Sequence, residues 1–235
     1  MPTLPKVVLW AWERPEDLRF IDPQTTGVAY LARTIFLDGD TILDRPRLQP
    51  LWVPPGTRLI AVTRVETSRR RQGPSPREAS PAPSAATAGL VASLIAEFGH
   101  FPAVVGVQVD FDATSSERAF YRALLVSLRQ QLPASMPLSI TALASWCQED
   151  TWLADLPIDE AVPMLFRMGA GDREVRLRLA EGTDFAAPVC RKSLGLSTDE
   201  PPPPFRRFDG RRVYIFHPRP WSRTAARKLA QDGRP

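Results

Sequence analysis

The sequence predicts an α/β protein, a compact (β/α)8 barrel of the TIM type, on three observations. Eight strand-like segments are spread along 235 residues, a length that suits one such barrel and one sizeable core. Most are joined by helical or short connections, the pattern that lays consecutive strands parallel. The glycine-rich phosphate loop that would follow the first strand of an open dinucleotide-binding sheet is not in the sequence. Residues 1–235 are therefore expected to form a single domain.

The first strand is 6–12 (Lys-Val-Val-Leu-Trp-Ala-Trp), ending at Glu13-Arg14. Pro15, Glu16 and Asp17 place a proline and two acids where a helix would begin, so a short helix is expected there. The second strand is 27–37. Asp38-Gly39 then signals a β-hairpin, with the chain doubling back through 41–53 as an insertion after strand two. The third strand is 57–66. It is followed by a low-complexity stretch, 68–86, rich in Pro, Ser and Arg and expected to be a flexible, disordered loop. Leu90, Val91, Leu94, Ile95 and Phe98 give 87–98 an amphipathic helical spacing, with Gly99-His100 as its C-cap.

The fourth strand, 103–112, organises the rest. Val107, Val109 and Phe111 alternate with Gln108, Asp110 and Asp112, so two carboxylates share one face of an otherwise apolar buried strand. Burying them side by side costs free energy unless each has a partner or a task. Ser115-Ser116-Glu117 opens a helix with Phe120, Leu124, Leu125 and Leu128 as its stripe and Pro133 as its stop. The fifth strand is 138–145, ending at Trp146-Cys147, and a short helix covers 150–156. The sixth is 161–168, with Pro163 inside it, and 174–181 is helical. The seventh, 191–196, runs into Ser197-Thr198-Asp199-Glu200 and four prolines. The eighth is 212–217, and 221–231 is a closing helix.

Composition excludes several classes. No run of about eighteen apolar residues occurs, so no membrane span is expected. Met1-Pro2-Thr3-Leu4-Pro5-Lys6 leads straight into strand-like sequence without a signal-peptide pattern, which makes the cytoplasm the default compartment. A net charge of +4 is carried by arginines spread along the chain. The single cluster, Arg69-Arg70-Arg71, reads as a solvated loop, and no nucleic-acid partner is expected. Cys147 past the end of one strand and Cys190 near the start of another fall at opposite ends of a barrel, so free thiols are expected. Two histidines do not make a multi-histidine zinc site, and neither a metal nor a cofactor is expected.

In this fold the active site lies at the C-terminal ends of the strands. The polar residues there are Glu13, Arg64 with Glu66, Asp110 with Asp112, Asp199 with Glu200, and His217, with Trp12 and Trp146 nearby. Glycoside hydrolysis needs a protonated carboxylic acid and an ionised carboxylate across the scissile bond. Strands four and seven face one another across such a mouth, which pairs Asp112, aided by Asp110, with Asp199 or Glu200. Trp12 and Trp146 offer rigid aromatic faces for sugar rings. Glu13, Arg64, Glu66 and His217 complete a substrate-binding rim. Asp112 has a competing structural role as N-cap of the helix that starts near Ser115.

The Gln108-x-Asp110-x-Asp112 alternation is similar to the Asp-x-Asp-x-Glu strand of chitinase-type barrels. There the last acid protonates the leaving group and the Asp before it orients that acid; here the shorter Asp112 stands at the last position. The segments 8–18, 108–113, 138–143 and 197–201 together resemble a bacterial family known as domain of unknown function 3142. That resemblance implies a single bacterial domain and carries no activity of its own. Three functions are therefore weighed. They are a hydrolase or transglycosylase of poly- or oligosaccharides, a non-catalytic carbohydrate-binding barrel, and a Mg²⁺-dependent hydrolase using Glu13, Asp110 and Asp112.

Overall fold

β1 (Val7–Ala11) is a run of apolar residues with no polar face, and only a strand covered on both sides can use it. In the computed structural model, which describes residues 4–68, 82–148, 151–201 and 210–226, it is covered on both sides. After β2 (Glu16–Asp17), β3 (Thr26–Asp38) runs parallel to β1, and its far half turns at Gly39 into the antiparallel β4 (Thr41–Pro46). Gly39 has φ 55°, the left-handed conformation a two-residue hairpin turn requires. β1 pairs with β3 only as far as Ala11 opposite Tyr30. β4 then takes that edge of β3, from Arg33 opposite Pro46 to Asp38 opposite Thr41.

β5 (Leu51–Trp52) pairs with β2, and β6 (Leu59–Thr67) returns to the main sheet beside β3. The remainder alternates strand and helix: α1 (Ala85–Ala96), β7 (Val104–Asp110), α2 (Arg118–Gln131), β8 (Leu138–Leu143), α3 (Ala144–Gln148), β9 (Glu160–Met164), α4 (Asp172–Ala180), β10 (Ser193–Ser197) and β11 (Arg212–Phe216). The main sheet runs β1-β11-β10-β9-β8-β7-β6-β3, and the β1–β3 pairing closes it. This is a closed barrel of eight parallel strands with β4 as an antiparallel appendage, the TIM-type fold the sequence predicts.

Several local expectations change. Residues 15–20 form no helix, because Glu16 is drawn into a two-residue ladder with β5 and its buried carboxylate accepts from Arg14 Nε at 2.7 Å and from the Trp221 amide at 2.8 Å. The hairpin return stops at Pro46, where proline withholds the next ladder donor. Of the loop expected over 68–86, and of the Arg69–Arg71 cluster, residues 69–81 lie outside those described. Its last residues already belong to α1, which Ser84 caps by accepting from the Thr87 amide. Helix α1 ends at Ala96 and tightens into a 3-10 turn through His100, in place of a glycine cap at Gly99.

The cysteine expectation is overturned. Cys147 and Cys190 form a disulfide with their Cα atoms 5.9 Å apart. The reason is that strand five stops at Leu143. The chain folds back as α3, which carries Cys147 off the strand tip and into the outer layer. There its carbonyl accepts from the amides of Ala186 and Ala187, the approach to the 3-10 turn Pro188–Arg191 that holds Cys190. Both cysteines are fully buried.

Two cores result from the strand alternation. The larger lies between strands and the outer layer, with Val107, Val109 and Phe111 of the fourth strand facing Tyr121, Leu124 and Leu128 of α2. The smaller fills the barrel itself, from Val8, Trp10, Ala29, Ile60, Val62, Val162 and Tyr214. Trp10 occupies so much of that interior that β10, two strands round the barrel, has no side chain at its position 195: a Cβ on Gly195 would meet the Trp10 ring at 3.1 Å. No described helix is long and apolar enough to cross a membrane.

Candidate functional site

The alternation on β7 works at three depths. Gln108 is buried, accepting from Trp10 Nε1 at 2.9 Å and donating to Ser139 Oγ at 3.2 Å, so it fixes the tryptophan that floors the barrel mouth. Asp110, one step nearer the mouth, accepts from Thr141 Oγ1 of β8 at 2.6 Å and lies level with Arg64 of β6. Asp112 stands just past the strand end. It is not the N-cap of the following helix. That place belongs to Thr114, locked in a capping box with the buried Glu117, which also accepts from Thr67 Oγ1 at 2.6 Å.

Above Trp10 a cavity of about 400 Å³ opens at the C-terminal mouth. Asp110 and Asp112 line it with Arg64, Thr141, Trp12, Met164, Phe166, Arg167 and Phe216. Phe166 and Phe216 are stacked at 5.7 Å, and Trp12 meets Phe216 edge-on at 6.4 Å, so one wall is continuous aromatic surface. The Arg64 guanidinium lies 5.9 Å from the Trp12 ring and the Arg167 guanidinium 5.2 Å from the Phe216 ring. Behind the strand, burial first and then the carboxylates of Asp110 and Asp112 push the Tyr121 phenol well above its ordinary pKa.

The other residues expected at the site are distributed unevenly. Arg64 pairs with Glu66 at 3.0 Å, and Glu66 is outside the cavity lining. Glu13 is exposed and also outside the lining, so it is not gathered with Asp110 and Asp112 as a third oxygen ligand. Among the described residues no group of three or more His, Cys, Asp or Glu side chains is placed to hold a metal ion. Trp146 is 5% exposed and packs edge-on against Trp152 at 5.0 Å in the outer core, because α3 carries it away from the mouth.

Asp199 and Glu200 do not line the cavity either. Asp199 accepts from Ser197 Oγ and lies 3.8 Å from Arg167; the Ser197 bond is the main cause of its lowered pKa. Glu200 accepts from the Arg167 amide at 3.0 and 3.3 Å and faces Arg176 at 3.7 Å. His217 Nδ1 is 2.5 Å from Thr198 Oγ1 and its ring packs on Trp221. Burial, then the positive charges of Arg14 and Arg219, lower its pKa.

Reasoning from the sequence did not find Arg167, Phe166 or Phe216 as cavity residues. Extending strand six to Met168 hid the first two. The strand ends at Met164, and the chain leaves the ladder before Phe166 and Arg167. Phe216 was legible as the inward residue of strand eight by its alternation with Tyr214 and Arg212.

Residues 76–164 match the family model described as domain of unknown function (DUF3142). None of the curated proteins matches the chain. Among solved structures, one described as a chitinase A from Streptomyces coelicolor is similar over 98% of this chain and 95% of that chain, with 12% sequence identity and a TM-score of 0.53. At that identity the likeness is one of fold.

Proposed function

We propose that this barrel is a glycoside-hydrolase-like protein acting on a poly- or oligosaccharide, with Asp112 as proton donor to the leaving oxygen and Asp110 as the ionised group that orients it and steadies positive charge on the sugar. The observation that carries the reading is the juxtaposition of these two carboxylates in a cavity with an aromatic wall. The two carboxylates differ in place: Asp110 accepts the Thr141 hydroxyl within the ladder, and Asp112 stands beyond the strand end at the rim, where a leaving oxygen would meet it first. The aromatic wall of Trp12, Phe166 and Phe216 suits the apolar face of a sugar ring. The chitinase-described neighbour shares the whole fold, which supports the same placement of chemistry at the strand ends.

Asp199 and Glu200 are not proposed as partners of Asp112, since both lie outside the cavity lining, Asp199 held by the Ser197 hydroxyl and Glu200 by the Arg167 amide and Arg176. Hydrolases whose substrate supplies its own nucleophile require only one protein acid at the leaving group. That same engagement favours a second reading, a barrel that binds carbohydrate without cleaving it. D112N separates the two. Loss of oligosaccharide turnover by at least about a hundredfold, with the circular dichroism and melting of the parent retained, supports the acid assignment. Unchanged turnover removes it, and saccharide binding by the parent with no turnover establishes the second reading.

A further inference from the structure

Arg167 is the one non-glycine residue with a left-handed backbone among those described, at φ 52°. An arginine gains nothing locally from that conformation, and such strain persists only where the surroundings impose it. Here the Glu200 carboxylate imposes it by accepting the Arg167 amide at 3.0 and 3.3 Å. The consequence is that the guanidinium is held over the Phe216 ring, at 5.2 Å, on the wall of the cavity. The two arginines at this mouth are not equivalent. Arg64 is taken up by Glu66 at 3.0 Å and sits level with Asp110 on the neighbouring strand. Among the described residues the Arg167 guanidinium makes a long 3.8 Å approach to Asp199, both side chains well exposed at 59% and 41%. Such pairs contribute little, and a ligand carboxylate can replace them.

We propose that the cavity selects an acidic saccharide, one carrying a uronic-acid carboxylate, and that Arg167 is the specificity-determining residue, with Glu200 its positioning residue. The proposal rests on the reading of this cavity as a saccharide site and names the class of sugar. A ring seated against Phe216 and Phe166 presents its substituents to the guanidinium beside that wall. A planar carboxylate there makes a charge-assisted, two-point contact that a hydroxymethyl group does not. The negative charges of Asp110 and Asp112 lie at the end of β7, so the acidic ring belongs at the Arg167 side of the cavity and a neutral ring beside the proton donor.

The test is calorimetric titration of the D112N chain, which does not consume its ligand, with two tetrasaccharides. One alternates hexuronate and hexosamine; the other is the same molecule with its carboxylates reduced to alcohols. The acidic form is expected to bind about tenfold tighter at low salt, with the advantage shrinking as salt is raised. R167M in the same background erases the advantage and R167K keeps part of it. E200A lowers it while leaving the affinity for the reduced tetrasaccharide unchanged, whereas a merely structural role for Glu200 weakens both ligands alike. Equal affinity for the two tetrasaccharides, or an advantage that survives R167M, overturns the charge selection and leaves the saccharide reading standing. If neither tetrasaccharide binds the unsubstituted chain, the choice of a hexuronate is overturned, while the saccharide reading is decided separately by turnover in the parent against D112N.

Discussion

Reduction of Cys147–Cys190 offers the most direct quantitative test of the outer layer. The bond closes a loop of 43 residues, from α3 through β9 and α4. In the chain-entropy account, releasing such a loop frees the unfolded chain by about 4 kcal/mol at room temperature. Both cysteines are fully buried, so two thiols occupy nearly the same space as the disulfide and little cavity penalty is added. For a chain of 235 residues that loss corresponds to a fall in Tm of roughly 8–16 °C. The assay is denaturant unfolding followed by tryptophan fluorescence, for the oxidised chain, the same chain under reductant, and C147A/C190A. The two altered samples should shift together towards lower denaturant. Thiol titration of the unfolded, unreduced chain should find no free sulfhydryl. Two titratable thiols, or coincident transitions with and without reductant, would refute the loop closure and the packing of α3 against the Cys190 turn.

Three further outcomes follow from the barrel interior and its rim. G195A should destabilise by about 1–3 kcal/mol in thermal melts, because the new methyl meets the Trp10 ring at 3.1 Å and the Pro163 carbonyl at 3.2 Å. R212M should cost about 3–5 kcal/mol by denaturant midpoint, since it leaves the buried Glu160 carboxylate, now paired at 2.6 Å, without its cation. His217 has a folded pKa below its unfolded value, so the unfolded chain binds the proton first as pH falls past about 6.5. Stability should therefore decline from pH 7 towards pH 5, and H217Q should flatten that part of the profile of Tm against pH.

The barrel was legible because its determinants are local and periodic. Apolar runs such as Val7–Ala11 and the strict alternation in β7 name both a strand and its two faces. The hairpin was legible from Asp38-Gly39, where the backbone requirement and the residue coincide. What escaped were features decided by long-range partners. Glu16 and Asp17 look like a helix start until Leu51-Trp52 offers a ladder and Trp221 an amide. Trp146 and Cys147 look like a strand tip until α3 folds them back. The position of a cysteine relative to a strand end then says nothing about its partner. Within the site the depth order of Gln108, Asp110 and Asp112 was readable. The engagement of Asp199 and Glu200 was not, because it depends on an arginine 32 and 33 residues away in sequence whose backbone is left-handed.

The depth of the cavity follows from how the interior is filled. A barrel of eight strands has room for stacked layers of side chains and no pore. Here the layer nearest the N-terminal face is ionic, with Arg212, Glu160 and the Tyr214 hydroxyl joined at 2.6 and 3.1 Å. The next layer is dominated by Trp10, tilted against Tyr214 at 5.2 Å, and Gly195 yields the space it needs. Above that indole the inward residues divide into a polar side with Asp110, Thr141 and Arg64 and an apolar side with Met164 and Phe216. The carboxylates line the pocket above Trp10 and are not sunk in the core beneath it. Gln108 links the two levels, since the same side chain that receives the Trp10 indole proton sits one pleat below Asp110. A change at Gln108 thus reaches the site through the floor: Q108L leaves the Trp10 Nε1 donor unpaired in a buried position. The expected outcome is a loss of about 1–3 kcal/mol in denaturant unfolding, and an unchanged midpoint would show that this bond does not hold the indole.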